Sequence, residues 1–242
     1  MIESYLILSY ICLIIALQSA VGVGVLVLGT PLFLLLNYNI IEILFILLPL
    51  SILTSFINLI LIRVTHKKLS TITFKGLKKF LISCVPSIIL GLLILKYFQD
   101  YINFKILVSI VIIFSVIVVY LKNHIKFRIN FFRISILSII GVVHGLTNSG
   151  GTLMSLALSS ENKKINARFI ITLFYLFLAF IQYFITIIIF KDSLFFPFNI
   201  KLIITLIFGI IIGNIISNFL SEKKYKLLIN FLALASSIFL LL

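Results

Sequence analysis

The chain has 242 residues, 62% of them hydrophobic and 11% charged, with a mean hydropathy of +1.33. A soluble domain carries about a quarter charged residues and turns much of its surface to water, so this composition excludes one, and it excludes a disordered chain on the same grounds. The net charge of +14, from 20 Lys and Arg against 6 Asp and Glu, does not indicate nucleic acid, because the basic residues sit in short runs between apolar stretches, as in an integral membrane protein.

Met1-Ile2-Glu3 has no basic n-region and no small-x-small site follows Tyr5–Leu17, so the start reads as mature fold rather than a cleaved signal. Tyr5–Leu36 is too long for one tidy helix, and its middle reads Gln18-Ser-Ala-Val-Gly22-Val-Gly24. Crossings of about 20 apolar residues are predicted at Ile41–Ile62, Leu77–Leu95 and Phe104–Leu121, with the polar stretch Arg63–Lys79 as a loop. Phe131–Leu158 is interrupted by His144-Gly-Leu-Thr-Asn148-Ser149-Gly150-Gly151-Thr152. Further crossings follow at Phe169–Phe190, Leu202–Leu220 and Leu227–Leu242. Glycine and short polar residues disfavour a helix interior, so each interrupted stretch is predicted as two half-helices around an irregular tip. Cys12 and Cys84 lie inside apolar runs, so neither a disulfide framework nor a metal site is readable.

The interrupted stretches superpose at an offset of 126, which pairs Gln18 with His144, Gly22 with Asn148, Gly24 with Gly150 and Glu42 with Arg168. After small loop deletions Gly91 pairs with Gly213, and Phe104–Leu107 with Tyr225–Leu228. The chain therefore reads as a single membrane domain, 1–242, with one repeat over 1–122 and a second over 123–242.

Charge orients the repeats. If each interrupted stretch crosses once, there are eight crossings and the basic residues divide 12 to 8 between the faces. If each instead folds back as a re-entrant hairpin, six crossings remain and 16 basic residues share one face. The other face keeps Lys96, Lys105, Lys191 and Lys201 with four of the six acids. The positive-inside rule favours the second arrangement, with basic loops cytoplasmic and both termini outside. The predicted fold is all-α, built of two inverted repeats, each a re-entrant hairpin plus three transmembrane helices. Inverted repeats with broken helices are characteristic of secondary transporters.

The first tip, Gly22-Val-Gly24-Val-Leu-Val-Leu-Gly-Thr-Pro31, resembles the glycine-rich stretch of the sulfite exporter TauE/SafE family. The second, Gly141-Val-Val-His-Gly145-Leu-Thr-Asn148-Ser-Gly150-Gly151-Thr152, is similar to that family's second glycine motif, and Asn166-Ala167-Arg168 resembles its Ala-Arg helix start. The resemblance spans the whole chain. Val25 and Leu26 stand where the family's first motif has glycines, Asn148 replaces a glycine in the second and Thr152 its proline. It implies export of sulfite or a related sulfur-containing anion across a bacterial inner membrane, while those replacements leave the anion's identity open.

A second half-helix that starts in mid-membrane aims free N–H groups and a positive dipole end inward, which suits an oxyanion. The predicted contacts are Gln18, Gly22, Gly24, His144, Asn148, Ser149, Gly150, Gly151 and Thr152. Glycines 24, 150 and 151 would admit close backbone approach, and Asn148, Ser149 and Thr152 would add side-chain donors. The bland reading of these residues is packing through small side chains, which is the role assigned to Gly29, Gly91, Gly209 and Gly213. Gln18, Gly22 and Gly24 suit either role. His144, the one histidine away from a loop, either carries a coupled proton or holds the anion, or else is neutral and bonded to a carbonyl of the broken helix, the reading preferred. His66 and His124 fall in basic loops. Arg168 reads as snorkelling to lipid phosphate rather than drawing anions from the cytosol. Thr54, Ser55 and Asn58 share one helix face, as do Tyr175 and Gln182 in the matching crossing.

Apart from Glu42 at the very start of Ile41–Ile62, no acid lies inside a predicted crossing, which argues against metal cations and for an anion path. The expected partners are a small anion, the bilayer and a coupling proton or ion left open, without nucleic acid, cofactor or metal; the oligomeric state stays open. The function read is secondary transport, an exporter of sulfite or of an organosulfur or carboxylate anion. The alternatives are a passive anion channel and, far behind, an intramembrane hydrolase using Ser149 and His144, which lacks an orienting third group. No P-loop occurs, and the chain is read as no enzyme.

Overall fold

The computed structural model describes residues 5–66, 69, 74–125, 134–191 and 200–241, and among these every regular element is a helix. The first interrupted stretch breaks as expected into α1, Tyr5–Val21, and α2, Val25–Leu35. It is followed by α3 (Ile40–Thr65), α4 (Phe74–Phe98) and α5 (Phe104–Ile125). The second breaks into α6, Ile134–Thr147, and α7, Gly151–Glu161. Then come α8 (Lys164–Ile189), α9 (Ile200–Phe219) and α10 (Glu222–Leu241). Five of them, α3, α4, α5, α8 and α9, are long and apolar enough to cross a bilayer. The protein is a multi-pass, all-helical membrane protein. Helix α5 runs past the expected end of its crossing, so His124 lies in its last turn rather than in a loop.

Burial follows the logic of a lipid-embedded bundle. Ile204, Ile207, Phe208 and Ile211 of α9 and Ile110, Phe114 and Ile117 of α5 are exposed, while Gln18, Ser51, Thr54, Ser55, Asn58, His144, Asn148 and Gln182 are buried. Apolar side chains face outward because hydrocarbon surrounds them, and polar ones turn inward because only the protein can satisfy them there.

The hand of each half-helix can be read from its neighbours. Helix α1 lies along α9, with Gly209 against Cys12 and Ile15 and Gly213 against Ala16 and Ser19, so the two run in the same direction. Helix α6 lies along α4 in the same way, with Gly141 against Cys84 and Ser87 and Gly145 against Ile88 and Gly91. Helix α2 folds back beside α1, because Val25 meets Gln18 and Gly29 meets Ile14. Further contacts join α3 with α8, α5 with α10, α2 with α10, α5 with α7, α2 with α3, α7 with α8 and α4 with α8. Exchanging α1–α5 for α6–α10 maps α1 with α9 onto α6 with α4 and α2 with α10 onto α7 with α5, and maps α3 with α8 and α5 with α10 onto themselves, whereas α4 packs more extensively on α8 than its counterpart α9 does on α3.

The ends of the bundle differ in charge. Thr65, His66, Lys163, Lys164, Asn166 and Glu222 line a 550 Å³ opening at one end. At the other, the α2–α3 and α4–α5 connections meet around a 520 Å³ opening beside Asn39, Asp100 and Lys105. Helix α3 starts there with a reciprocal cap: the Glu42 amide donates to Asn39 Oδ1 at 2.8 Å and the Asn39 amide to Glu42 Oε2 at 3.0 Å.

Gly29, Gly91, Gly209 and Gly213 all pack where a Cβ would meet another helix, as expected. On Gly91 it would strike the Val142 carbonyl oxygen and stand 2.9 Å from the Leu146 nitrogen, whereas on Gly29 it would meet the movable Leu47 Cδ1 at 2.8 Å. Gly91→Ala is therefore expected to destabilise by about 1–3 kcal/mol, the usual cost of overpacking, and Gly29→Ala by less. Thermal unfolding of the two variants in detergent checks the order.

Candidate functional site

The two tips share a left-handed turn and a close-packed glycine at equivalent positions, although Gly24 (φ 169°) and Gly150 (φ −59°) differ in backbone conformation. Gly22 turns with φ +89° and its amide donates to the Gln18 carbonyl at 2.7 Å. Asn148, its partner at the offset of 126, turns with φ +60° and its amide donates to the His144 carbonyl at 2.8 Å. Both are left-handed residues that end a helix, a conformation open to glycine and, at modest cost, to asparagine. A Cβ on Gly24 would stand 2.6 Å from the Gln18 nitrogen and 2.8 Å from the Ile14 carbonyl oxygen. On Gly150 it would meet the corresponding atoms, the His144 nitrogen at 2.6 Å and the Ile140 carbonyl oxygen. In this conformation, then, the close approach these two glycines permit is to their own first half-helix. Gly151 is held short of a Cβ by Tyr175, whose hydroxyl would lie 2.7 Å from it.

The chemistry of the tips differs. In the first, Gln18 uses both ends of its amide: Oε1 accepts from the Val25 amide at 3.0 Å, at the start of α2, and Nε2 donates to Ser55 Oγ at 3.0 Å and the Ser51 carbonyl at 3.3 Å. The first tip is thereby closed and tied to α3. In the second, His144 stands in Gln18's place, fully buried, and among the described residues neither ring nitrogen has a hydrogen-bond partner. The expected bond from its ring to a broken-helix carbonyl is not formed. The His144 carbonyl instead receives Gln182 Nε2 at 3.1 Å. Asn148 Nδ2 reaches across to Thr30 Oγ1 on α2 at 2.9 Å, which joins the two tips, while Asn148 Oδ1 is buried without a partner. Thr152 Oγ1 is buried without one as well, and so are Gln182 Oε1 and Thr186 Oγ1 on α8. Ser149 is consumed locally, donating to the Thr147 carbonyl at 3.2 Å. Gly150 opens α7 with no side-chain cap.

Between the tips, Gly24, Val27, Thr152, Ser155, Ile229 and Ala233 surround a cavity of about 10 Å³. That is the lower limit for one water, so an oxyanion enters only if the tips part.

Arg168 departs from expectation. It does not reach for lipid: only 7% of it is exposed, and its Nη2 donates to Asn214 Oδ1 at 2.7 Å and approaches Asn58 Oδ1 at 3.5 Å. Asn214 Nδ2 donates in turn to Asn58 Oδ1 at 2.9 Å, and Asn58 Nδ2 to Ser19 Oγ at 2.9 Å. Asn58 had a signal in the sequence, as part of a polar face on α3. Asn214 had only its place beside Gly213 in an apolar run, and nothing there indicates which residue it meets.

The sequence model of the sulfite exporter TauE/SafE family matches residues 7–240. The chain belongs to that family. No curated protein and no solved structure matches it. The TauE/SafE match covers nearly the whole chain, both tips included, and the family is one of membrane transporters of sulfite or related anions.

Gln18 and His144 stand at corresponding places in the two tips yet carry opposite structural loads. Gln18→Leu strands the Val25 amide and two serine partners and is expected to destabilise by about 1–3 kcal/mol. His144→Leu removes two unpartnered buried nitrogens and is expected to leave stability unchanged or raised. Melting temperatures of the two purified variants check this contrast.

Proposed function

We propose that the protein is a secondary transporter that exports a small anion, sulfite or a related organosulfur or carboxylate anion, through a site at the second tip. The observation that carries this reading is the set of unpartnered polar atoms gathered there: the His144 ring nitrogens, Asn148 Oδ1 and Thr152 Oγ1. Buried polar atoms left unpaired cost about 1–3 kcal/mol each, so a protein keeps several together only when something else completes them. An oxyanion completes the donors among them. Thr152 and a His144 N–H supply hydrogen bonds, and the start of α7 adds its amides and dipole end. Gly150 and Gly151 keep that start free of side chain, and Ser149 shapes the turn. In the first tip, Gln18, Gly22 and Gly24 form the counterpart wall, already saturated with hydrogen bonds.

The transport reading treats 1–122 and 123–242 as inverted repeats, each a re-entrant hairpin and three crossings. Its support is the matching contacts of the two tips and the exchange symmetry of the helix pairs. Alternating access then consists of one hairpin moving relative to the other, which makes and breaks the Asn148–Thr30 bond between them. The basic end is cytoplasmic in this reading, with both termini outside and the chain in a bacterial inner membrane. That places the richer positive field where a cytosolic anion is collected.

Proteoliposomes loaded with unlabelled sulfite test the reading. Wild-type protein is expected to take up radiolabelled sulfite by saturable counterflow, with Thr152→Val and His144→Leu at least about tenfold slower, a loss of about 1.4 kcal/mol or more. Flux that fails to saturate and appears as ohmic current would make the protein a channel, and absence of any sulfite flux would contradict the proposal.

A further inference from the structure

We infer that Arg168, with Asn58 and Asn214, forms a second oxyanion station, separate from the second tip and nearer the basic end of the bundle. Three observations lead to it. Arg168 is buried, with only 7% of the residue exposed, and no carboxylate among the described residues forms an ion pair with it. A buried cation without a counter-charge is costly, and neutral amide dipoles compensate it only in part. Its Nε is buried with no hydrogen-bond partner, whereas Nη2 is held by amide oxygens. Those two N–H groups lie on one edge of the guanidinium, the edge that grips two oxygens of a sulfite, sulfate or carboxylate side by side. Here the edge is half occupied.

The third observation is position. Arg168 lies one helical turn beyond Lys164, which lines the 550 Å³ basic opening together with His66 and Lys163. Lys164 Nζ donates to the Ser217 carbonyl and, at 2.6 Å, to the Leu220 carbonyl, and so fixes the end of α9 that carries Asn214. On the inner side, the Arg168 carbonyl oxygen would lie 3.1 Å from a Cβ on Gly22, which sets the station directly behind the first tip. An anion from the basic opening meets Arg168 before it meets either tip. It takes the Nε–H and Nη2–H pair in two parallel hydrogen bonds and displaces the Oδ1 of Asn214, whose Nδ2 stays bonded to Asn58 Oδ1 and the Ile210 carbonyl. The other repeat carries Glu42 at the equivalent position, exposed and engaged in its helix cap, so the station belongs to one end only.

The test is equilibrium binding of sodium sulfite to the full-length protein in lipid-free neutral detergent, with transport measured separately. Arg168→Gln is expected to abolish one class of sites and leave the class sensitive to Thr152→Val. Arg168→Lys, which keeps the charge and loses the fork, is expected to weaken that class at least tenfold. Asn214→Asp keeps the fold accessible to test even if Arg168→Gln fails to fold, because it supplies the missing carboxylate. It is expected to raise the melting temperature and weaken sulfite binding at this station at least tenfold. Sulfite binding unchanged in Asn214→Asp overturns the inference, as does a melting shift produced by added phosphatidylglycerol but not by sulfite. Arg168-dependent binding without any sulfite transport would leave this station standing and remove the transport reading; transport and binding indifferent to Asn214→Asp would do the reverse.

Discussion

The structure depends on a constraint set by the solvent it lives in. Hydrocarbon offers no hydrogen bonds, so a helix that stops in mid-membrane must have its exposed amides, carbonyls and polar side chains satisfied by the protein or by what the protein carries. Both tips stop inside the bundle, and both use a left-handed residue at 22 or 148 and a glycine at 24 or 150 pressed against the half-helix it has just left, although the two glycines differ in backbone conformation. What remains after that shared solution is side-chain chemistry. There the copies diverge: one is closed by Gln18, the other left open around His144.

That divergence gives the TauE/SafE fold here an asymmetric interior. The first tip is a fixed wall, clamped to α3 by serines and backed by the Tyr225 hydroxyl, which donates to the Val21 carbonyl at 2.8 Å. The second is held to its surroundings mainly by backbone, through Gln182 and the His144 carbonyl, with one side-chain link to Thr30. One wall is saturated with hydrogen bonds and the other keeps unpartnered polar atoms. The cavity between them, of about 10 Å³, holds no more than one water.

Much of this was legible from residues in order. The breaks at Gly22–Gly24 and Asn148–Gly150, and the offset pairing them, follow from local chemistry, because a glycine pair in an apolar run has few uses other than a turn or a close contact. The packing glycines were legible for the same reason. Pairings between distant segments were not. Arg168 looked like a snorkelling residue because its sequence neighbours place it near a helix start, and only the fold brings Asn58 and Asn214 to it, 110 and 46 residues away. His144 looked as though a nearby carbonyl would satisfy its ring, yet its own carbonyl is taken by Gln182 and its ring by nothing. Side-chain direction across a tertiary contact decided both cases, and periodicity carries no information about it.

Selenite, an electron-dense analogue of sulfite, offers the most direct measurement of where the anion sits. Anomalous diffraction from crystals of the protein grown with selenite is predicted to show a peak within hydrogen-bond distance of Thr152 and His144, beside the start of α7. Transport-competent protein whose selenium peaks all lie away from the second tip would contradict the account, because its unpaired polar atoms would then have to be explained by something other than the cargo.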